Sequence, residues 1–207
     1  MKYGSIFILL MTLLVSPAMA ADTLYQPFVL ASVNDSSFDE TVADTMDRLE
    51  RAGFEVAGQY APLENTLVIV ATSDELKNIA AGTDRGGYAA GQRISVSSRD
   101  NGVEVAFINP LYIQYAYRLD GDMQGIHDSL SSALGNMETF GAEKKLTAKK
   151  LSKYNYKPLM EKFDDPYELG GFDNHDAAVA AVETGLAREG DALSMVYRID
   201  IPGTDQT

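Results

Sequence analysis

The sequence predicts an α+β fold, a two-layer sandwich in which a mainly antiparallel sheet carries helices on one face. Local capping signals start several helices, and Asn101-Gly102 is a strong signal for a tight hairpin between two strands. The predicted elements run strand, helix, strand, strand, helix, hairpin, which is not the regular alternation of a parallel sheet. With 207 residues, 45% of them hydrophobic, the chain is long enough to bury a core without disulfides or metals.

The first elements are a strand, a helix and a second strand. Residues 27–33 are the first candidate strand. Ser37 and Glu40 form a capping box, and apolar residues then recur at helical spacing until Gly53. Residues 54–60 alternate between apolar and polar, as expected for a half-buried strand.

The middle of the chain predicts a buried strand, a short helix and the hairpin. Residues 67–70 are a continuous apolar run, which favours a central strand covered on both faces. A second capping box is expected at Thr72-Ser73-Asp74-Glu75. The hairpin joins residues 93–98 to residues 103–108, and we expect Ile69 and Phe107 to be core residues on neighbouring strands.

Further capping signals predict the later helices. Asn109 caps a helix that has Pro110 at its first position, and Asp122 opens another helix that ends at Gly135. Asn174 caps a helix whose apolar residues include Val179, Val182 and Leu186. Residues 193–201 alternate again and predict a last strand.

The first twenty residues have the pattern of a secretory signal peptide. A lysine at position 2, an apolar stretch over residues 6–15, and Ala18 and Ala20 before the cut fit that pattern. The alternative is an uncleaved anchor, but a bilayer takes about 20 apolar residues to cross. We expect export, to the periplasm in a bacterium with two membranes and otherwise by secretion, with no membrane span in the mature chain.

Three parts of the chain are therefore expected. Residues 1–20 are the signal peptide and residues 21–140 are the α+β core domain. Residues 141–207 are a basic helical segment with a final helix and strand, packed on the core.

Composition and motifs exclude several kinds of function. A net charge of −13 argues against nucleic acid as a partner, and the lack of Cys excludes disulfides, thiol catalysis and Cys-ligated metals. His127 and His175 offer no histidine pair, and Asp120-Gly121-Asp122 lacks the terminal Glu of a calcium loop. Phosphate-binding, dinucleotide-binding and Gly-x-Ser-x-Gly motifs are also lacking. We expect neither a metal nor a cofactor.

The glycine-rich stretch around residues 84–91 is the candidate ligand-binding site. Arg85 and Arg93 flank Tyr88 and offer planar donors beside an aromatic face in an acidic chain. A tightly turned or mobile loop with no ligand is the alternative. The full candidate set for ligand binding is Arg85, Tyr88, Arg93, Asn109 and Tyr112.

Residues 144–162, the lysine segment, are the candidate partner-binding site. They hold seven lysines and one acid, net +6, in a chain of net −14 once Lys2 is removed with the signal peptide. If the segment is helical, three lysines at spacing i, i+4, i+8 share one face. An acidic partner, an anionic membrane surface, a second copy, the acidic body of the same chain and plain solvation are the alternatives. The candidate contact residues are Lys149, Lys153, Lys157, Tyr154 and Tyr156.

Three stretches carry a family resemblance: residues 49–56 (LERAGFEV), 72–76 (TSDEL) and 106–112 (AFINPLY). They resemble exported bacterial members of the family called domain of unknown function 302, most strongly over residues 28–135. The resemblance implies a small α+β sandwich that tends to pair, so a homodimer is expected. The family has no agreed activity, and the resemblance therefore implies no catalytic residue.

The sequence favours a non-catalytic exported protein that binds a small molecule or a protein partner. Nucleophile and base pairs are scarce, which is why catalysis is the less favoured function. A metal-independent periplasmic enzyme, and an envelope assembly protein that uses its lysine segment, are the alternatives.

Overall fold

The computed structural model describes residues 23–163, 165–188 and 193–207; the predicted signal peptide lies outside them. The described residues form the predicted α+β fold, a large antiparallel sheet with six α-helices. The strands are β1 (Leu24–Tyr25), β2 (Phe28–Asn34), β3 (Glu55–Leu63), β4 (Thr66–Thr72), β5 (Gln92–Arg99), β6 (Gly102–Ile108), β7 (Glu138–Phe140) and β8 (Leu146–Thr147). The helices are α1 (Phe38–Arg51), α2 (Asp74–Ala81), α3 (Pro110–Ala116), α4 (Gln124–Leu134), α5 (Ala148–Leu151) and α6 (His175–Arg188).

The main sheet has six strands in the order β3-β4-β5-β6-β2-β7, and each pair is antiparallel. The register aligns Ile69, Ile94, Phe107 and Val29 across four strands, so these buried side chains share one face. Helices α1 and α4 supply apolar residues to the same core. Ile69 and Phe107 are core residues as predicted, but β5 lies between their strands, so they are not on neighbouring ones.

Most of the predicted helix starts are confirmed. The Ser37–Glu40 capping box is present, and the Asn109 side chain accepts a hydrogen bond from the Leu111 N–H at 3.1 Å. The second capping box is wrong, because Thr72 is the buried end of β4 and its hydroxyl donates to the Ala90 carbonyl. Ser73 alone caps α2, by accepting a hydrogen bond from the Leu76 N–H.

The hairpin between β5 and β6 is confirmed, but Asn101 and Gly102 are not the two central residues of its turn. Arg99 pairs with Gly102, so Asp100 and Asn101 form the turn. Within this turn Gly102 has a positive φ of 127°, and Asn101 does not have a positive φ.

Two predictions for the second half of the chain are wrong. The lysine segment is not one helix: α5 ends at Leu151, so Lys149, Lys153 and Lys157 do not share a helical face. Residues 193–201 form no strand, because their backbone joins no ladder of the main sheet. The sixth strand is instead β7, a short element that the sequence pattern did not reveal.

Residues 193–207, the C-terminal segment, cover part of the sheet face that is turned away from α1 and α4. Ile199 and Ile201 are buried there against Val70 and Ala90. The close approach requires a glycine in β3, because a Cβ on Gly58 would lie 2.4 Å from the Val196 carbonyl oxygen. Over residues 197–201 the alternation seen in the sequence therefore reflects burial without strand pairing, whereas Leu193 and Met195 are exposed. Strand β4 is covered on both faces as predicted.

None of the helices in the described part of the chain combines the length and the apolar composition needed to span a bilayer.

Candidate ligand-binding cleft

An open cleft of about 730 Å³ lies beside the C-terminal segment. Its walls are the 3₁₀ turn Gly86–Ala89, the start of β5, helix α6 and the C-terminal segment. The volume is within the range of about 300–1,000 Å³ that small-molecule sites occupy. We call it the Arg93 cleft, after the side chain that projects into it from β5.

Glycines allow the chain to turn tightly at one end of the cleft. A Cβ on Gly86 would lie 2.2 Å from the Ala80 carbonyl oxygen, so the turn packs directly on the end of α2. The Gly87 N–H donates to Gln206 Oε1 at 2.9 Å, and Gln206 Nε2 donates to the Thr83 carbonyl at 3.2 Å. The glycine-rich loop is thus tightly turned, and the Gln206 amide holds it to the C-terminal segment.

Arg93 brings a positive charge into the cleft. It pairs in register with Val70, and strand alternation places it on the face opposite to Ile94. The Arg93 side chain makes neither a hydrogen bond nor an ion pair with any described residue. Arg85 lies nearby in a left-handed conformation, with its Nε 3.7 Å from Asp84 Oδ2. Arg93 is therefore available to an anion from outside the chain.

Helix α6 provides an apolar wall. Val179, Val182 and Leu186 line the cleft, and none of the residues of α6 is buried. The Glu183 carboxylate ties the helix to Arg198 at 3.0 Å, and Arg198 also pairs with Asp200 at 2.7 Å. Helix α6 is therefore not packed closely on the sheet, and the cleft is the space between them.

Asp200 is held in its charged form by its neighbours. A hydrogen bond from the Thr207 hydroxyl, and then one from Arg198, keep the pKa of the Asp200 carboxyl below its usual range. Arg198 is thus committed to carboxylates of its own chain, in contrast to Arg93.

Among its described lining residues, the cleft shows no pairing of a nucleophile with a base. His175 is the one imidazole among the described lining residues, and its buried Nε2 has no hydrogen-bond partner in the described chain. Activation of a hydroxyl by a histidine requires a hydrogen bond between them. Across residues 23–163, 165–188 and 193–207, no group of three acidic or histidine side chains could hold a metal ion.

The structure brings three of the five predicted ligand residues together. Arg85, Tyr88 and Arg93 line the cleft, and the Tyr88 ring stacks on the ring of Tyr117 at 5.6 Å. Asn109 lies elsewhere, buried, with its amide donating to the Gln26 carbonyl at 3.0 Å. Tyr112 also lies outside the cleft, against the Phe163 ring at 6.5 Å, and burial raises its pKa.

The predicted partner-binding residues lie apart from the cleft, and they differ in whether their side chains pack within the chain or are exposed. Tyr154 stacks on Phe163 at 5.8 Å, so its ring packs within the chain. Tyr156 and the three lysines are exposed, and the Lys157 ammonium lies 5.9 Å above the Tyr156 ring.

Sequence reasoning missed the far wall of the cleft. The apolar residues of α6 were expected to pack on the core, but they line an open space. No sequence pattern indicated that Arg198 and Gln206 would lie at the cleft. Arg198 was recognisable only as a charged residue within the alternating stretch of residues 193–201. Only the folded path of the C-terminal segment brings them near residues 85–93.

Comparisons with known proteins add little to this geometry. No family model and no curated protein matches the chain. A solved structure, an uncharacterized conserved protein (DUF302) from Bacillus stearothermophilus, aligns with a TM-score of 0.45 at 13% identity. The alignment covers 54% of this chain and 97% of that protein. A likeness of that size assigns neither a family nor an activity.

Proposed function

We propose that this chain is an exported, non-catalytic protein that binds a small amphipathic anion, such as a medium-chain carboxylate, in the Arg93 cleft. The observation that carries the proposal is the Arg93 guanidinium, which lines the same cleft as the apolar side chains of α6 and has no partner in the described chain. A planar guanidinium suits a carboxylate, which it can hold with two parallel hydrogen bonds.

The lining of the cleft supports an apolar body on the ligand. Val179, Val182 and Leu186 of α6 and Ile199 of the C-terminal segment face the same space as Arg93. Apolar area removed from water contributes about 25 cal/mol per Å². A ligand that is charged at one end and apolar along its length therefore matches both ends of the site.

Replacement of Arg93 tests the proposal directly. Anilinonaphthalene sulfonate, a fluorescent amphipathic anion, serves as the probe, with decanoate as a competitor. We expect Arg93→Gln to weaken binding at least about tenfold, because hydrogen bonds to charged groups are worth about 1.5–3 kcal/mol. Fluorescence titration measures the affinity, and circular dichroism checks that the fold is retained.

Arg99→Gln is the matched control. Arg99 lies on the same strand, about 20 Å from Arg93 at the usual rise of a strand, and its Nε pairs with Glu104 at 3.5 Å. This variant should bind the probe like the parent protein. Equal affinity in the parent and in both variants would show that the cleft does not use Arg93.

Export is part of the proposal, and the pattern of residues 1–20 supports it. The exported protein is expected to begin at Ala21, because Ala18 and Ala20 fit the small pockets of a signal peptidase. N-terminal sequencing of protein recovered outside the cytoplasm measures this. An intact Met1 on that material would contradict both the cleavage and the localisation.

A further inference from the structure

The lysines of the lysine segment are not paired with acidic residues in the described part of the chain. Its seven ammonium groups form no ion pair with a carboxylate of the described residues, although the rest of the chain is strongly acidic. Six of the seven lysines are exposed. The segment is held to the body instead by the pairing of β8 with β1 and by apolar contacts, through the buried Leu151 and the ring of Tyr154. The lysine charges are therefore available to something outside the chain.

A tight turn within the segment presents a leucine to solvent. The Met160 N–H donates to the Lys157 carbonyl at 3.2 Å, which closes a four-residue turn with Pro158 and Leu159 at its centre. The Asn155 amide donates to the Met160 carbonyl and braces the turn. Leu159 has a φ of 71° and is fully exposed.

The residue at the apex is unfavourable for the turn itself. A turn with a positive φ at its third position favours Gly or Asn there, because a larger side chain clashes with its own backbone. Leu159 thus carries a conformational cost, and its side chain gains no contact within the described chain that would offset it. Tyr156, at 73% exposure, and Met160 are apolar neighbours that are also exposed. These three neighbouring side chains are therefore exposed for contact with a partner.

We propose that this turn docks on the surface of an anionic phospholipid membrane. An apical leucine can enter the acyl boundary, tyrosine suits the interface, and lysines pair with headgroup phosphates. The exposed apolar set is three side chains on one turn, which is small beside the roughly 800 Å² that each partner buries in a stable protein interface. Screening over about 8 Å at physiological salt limits repulsion between the acidic body and the lipid.

Vesicle co-sedimentation tests the docking site with residues 21–207, which include every described residue. The vesicles are equal parts of phosphatidylglycerol and phosphatidylcholine, or phosphatidylcholine alone. We expect binding to the anionic vesicles only, and weaker binding in about 1 M salt than in about 0.1 M salt. Sedimentation with neutral vesicles to the same extent, or with neither kind, would overturn the proposal.

Two sets of variants separate the roles of charge and leucine. Changing Lys149, Lys153 and Lys157 together to Gln should weaken binding roughly a hundredfold, at about fivefold for each lysine. Leu159→Gly should weaken binding at least about tenfold, while its melting temperature stays equal or rises, because glycine relieves the turn. Since Leu159→Gly favours the folded turn, a loss of binding cannot be attributed to unfolding.

The control variants carry the same kinds of substitution, one leucine to glycine and three cations to glutamine, at positions outside the lysine segment. Leu63→Gly removes an exposed leucine from β3, and a triple change of Arg48, Arg51 and Arg99 to Gln removes three other cations. Both should bind vesicles like the parent protein. If Leu159→Gly binds unchanged, the proposed insertion is wrong. A different result would also overturn the proposal. The parent protein would form a dimer in analytical ultracentrifugation and bind no vesicles, and the lysine variant would lose that dimer. The segment would then contact a second copy of the chain.

Discussion

Phe107→Ala should lower the free energy of unfolding by about 3–5 kcal/mol, the range measured when large aromatic side chains are removed from cores. Phe107 is 1% exposed and lies in the centre of the sheet, between Ile94 and Val29 in register. Ile69→Ala, at the other side of Ile94, should cost about 2–5 kcal/mol for the same reason. Urea denaturation monitored by circular dichroism measures both changes.

Leu63→Ala is the control for these core substitutions. Leu63 is mostly exposed at the end of β3, so its truncation should change stability by no more than about 0.5 kcal/mol. Core variants that unfold at the same urea concentration as this control would contradict the packing of the four-strand register.

Gly58→Ala should detach the C-terminal segment from the sheet and abolish ligand binding in the Arg93 cleft. The added Cβ would lie 2.4 Å from the Val196 carbonyl oxygen and 2.9 Å from the Tyr197 Cβ, and neither can move while Ile199 stays buried. Ile199 and Ile201 are both buried at this contact, and each burial is worth about 1.5–3 kcal/mol. The clash removes that gain, while the core that the sheet forms with α1 and α4 keeps its contacts. Local release is therefore expected instead of global unfolding.

Limited proteolysis and probe binding together measure this release. The variant should be cut within residues 193–207 much faster than the parent, and should no longer bind anilinonaphthalene sulfonate. Gly185→Ala is the matched control, because a Cβ at that position of α6 would meet nothing within 4 Å. A Gly58→Ala protein that keeps both its protease resistance and its probe affinity would contradict the packing described for this segment.

The elements that the sequence predicted correctly depend on short-range signals. The Ser37–Glu40 capping box and the Asn109-Pro110 cap involve residues at most three positions apart, so the sequence pattern contains the whole interaction. The hairpin at residues 99–102 is equally local. The second capping box failed because Thr72 belongs to a strand whose burial depends on the distant loop at Ala90.

Features that depend on distant contacts could not be predicted. Residues 193–201 alternate like a strand, yet they lie across the face of the sheet because Gly58 leaves room there. The lysine spacing suggested a helix, but α5 ends at Leu151. For the cleft, Arg85, Tyr88 and Arg93 are close in sequence and were found together. The opposite wall of the cleft comes from α6, which begins 82 residues after Arg93.

The position of β2 in the sheet has a consequence for the order of folding. The strand is made early, yet its neighbours are β6 and β7, which follow it by many residues. Val29 pairs with Phe107 and Thr139, so synthesis at about 5–20 residues per second leaves β2 unpaired for several seconds. Pairings so distant in sequence also slow the search for the native sheet. The main sheet can be completed only after residue 140 has been made, and until then the edge of the strand FVLASVN that later pairs with β7 remains open to pairing with other chains.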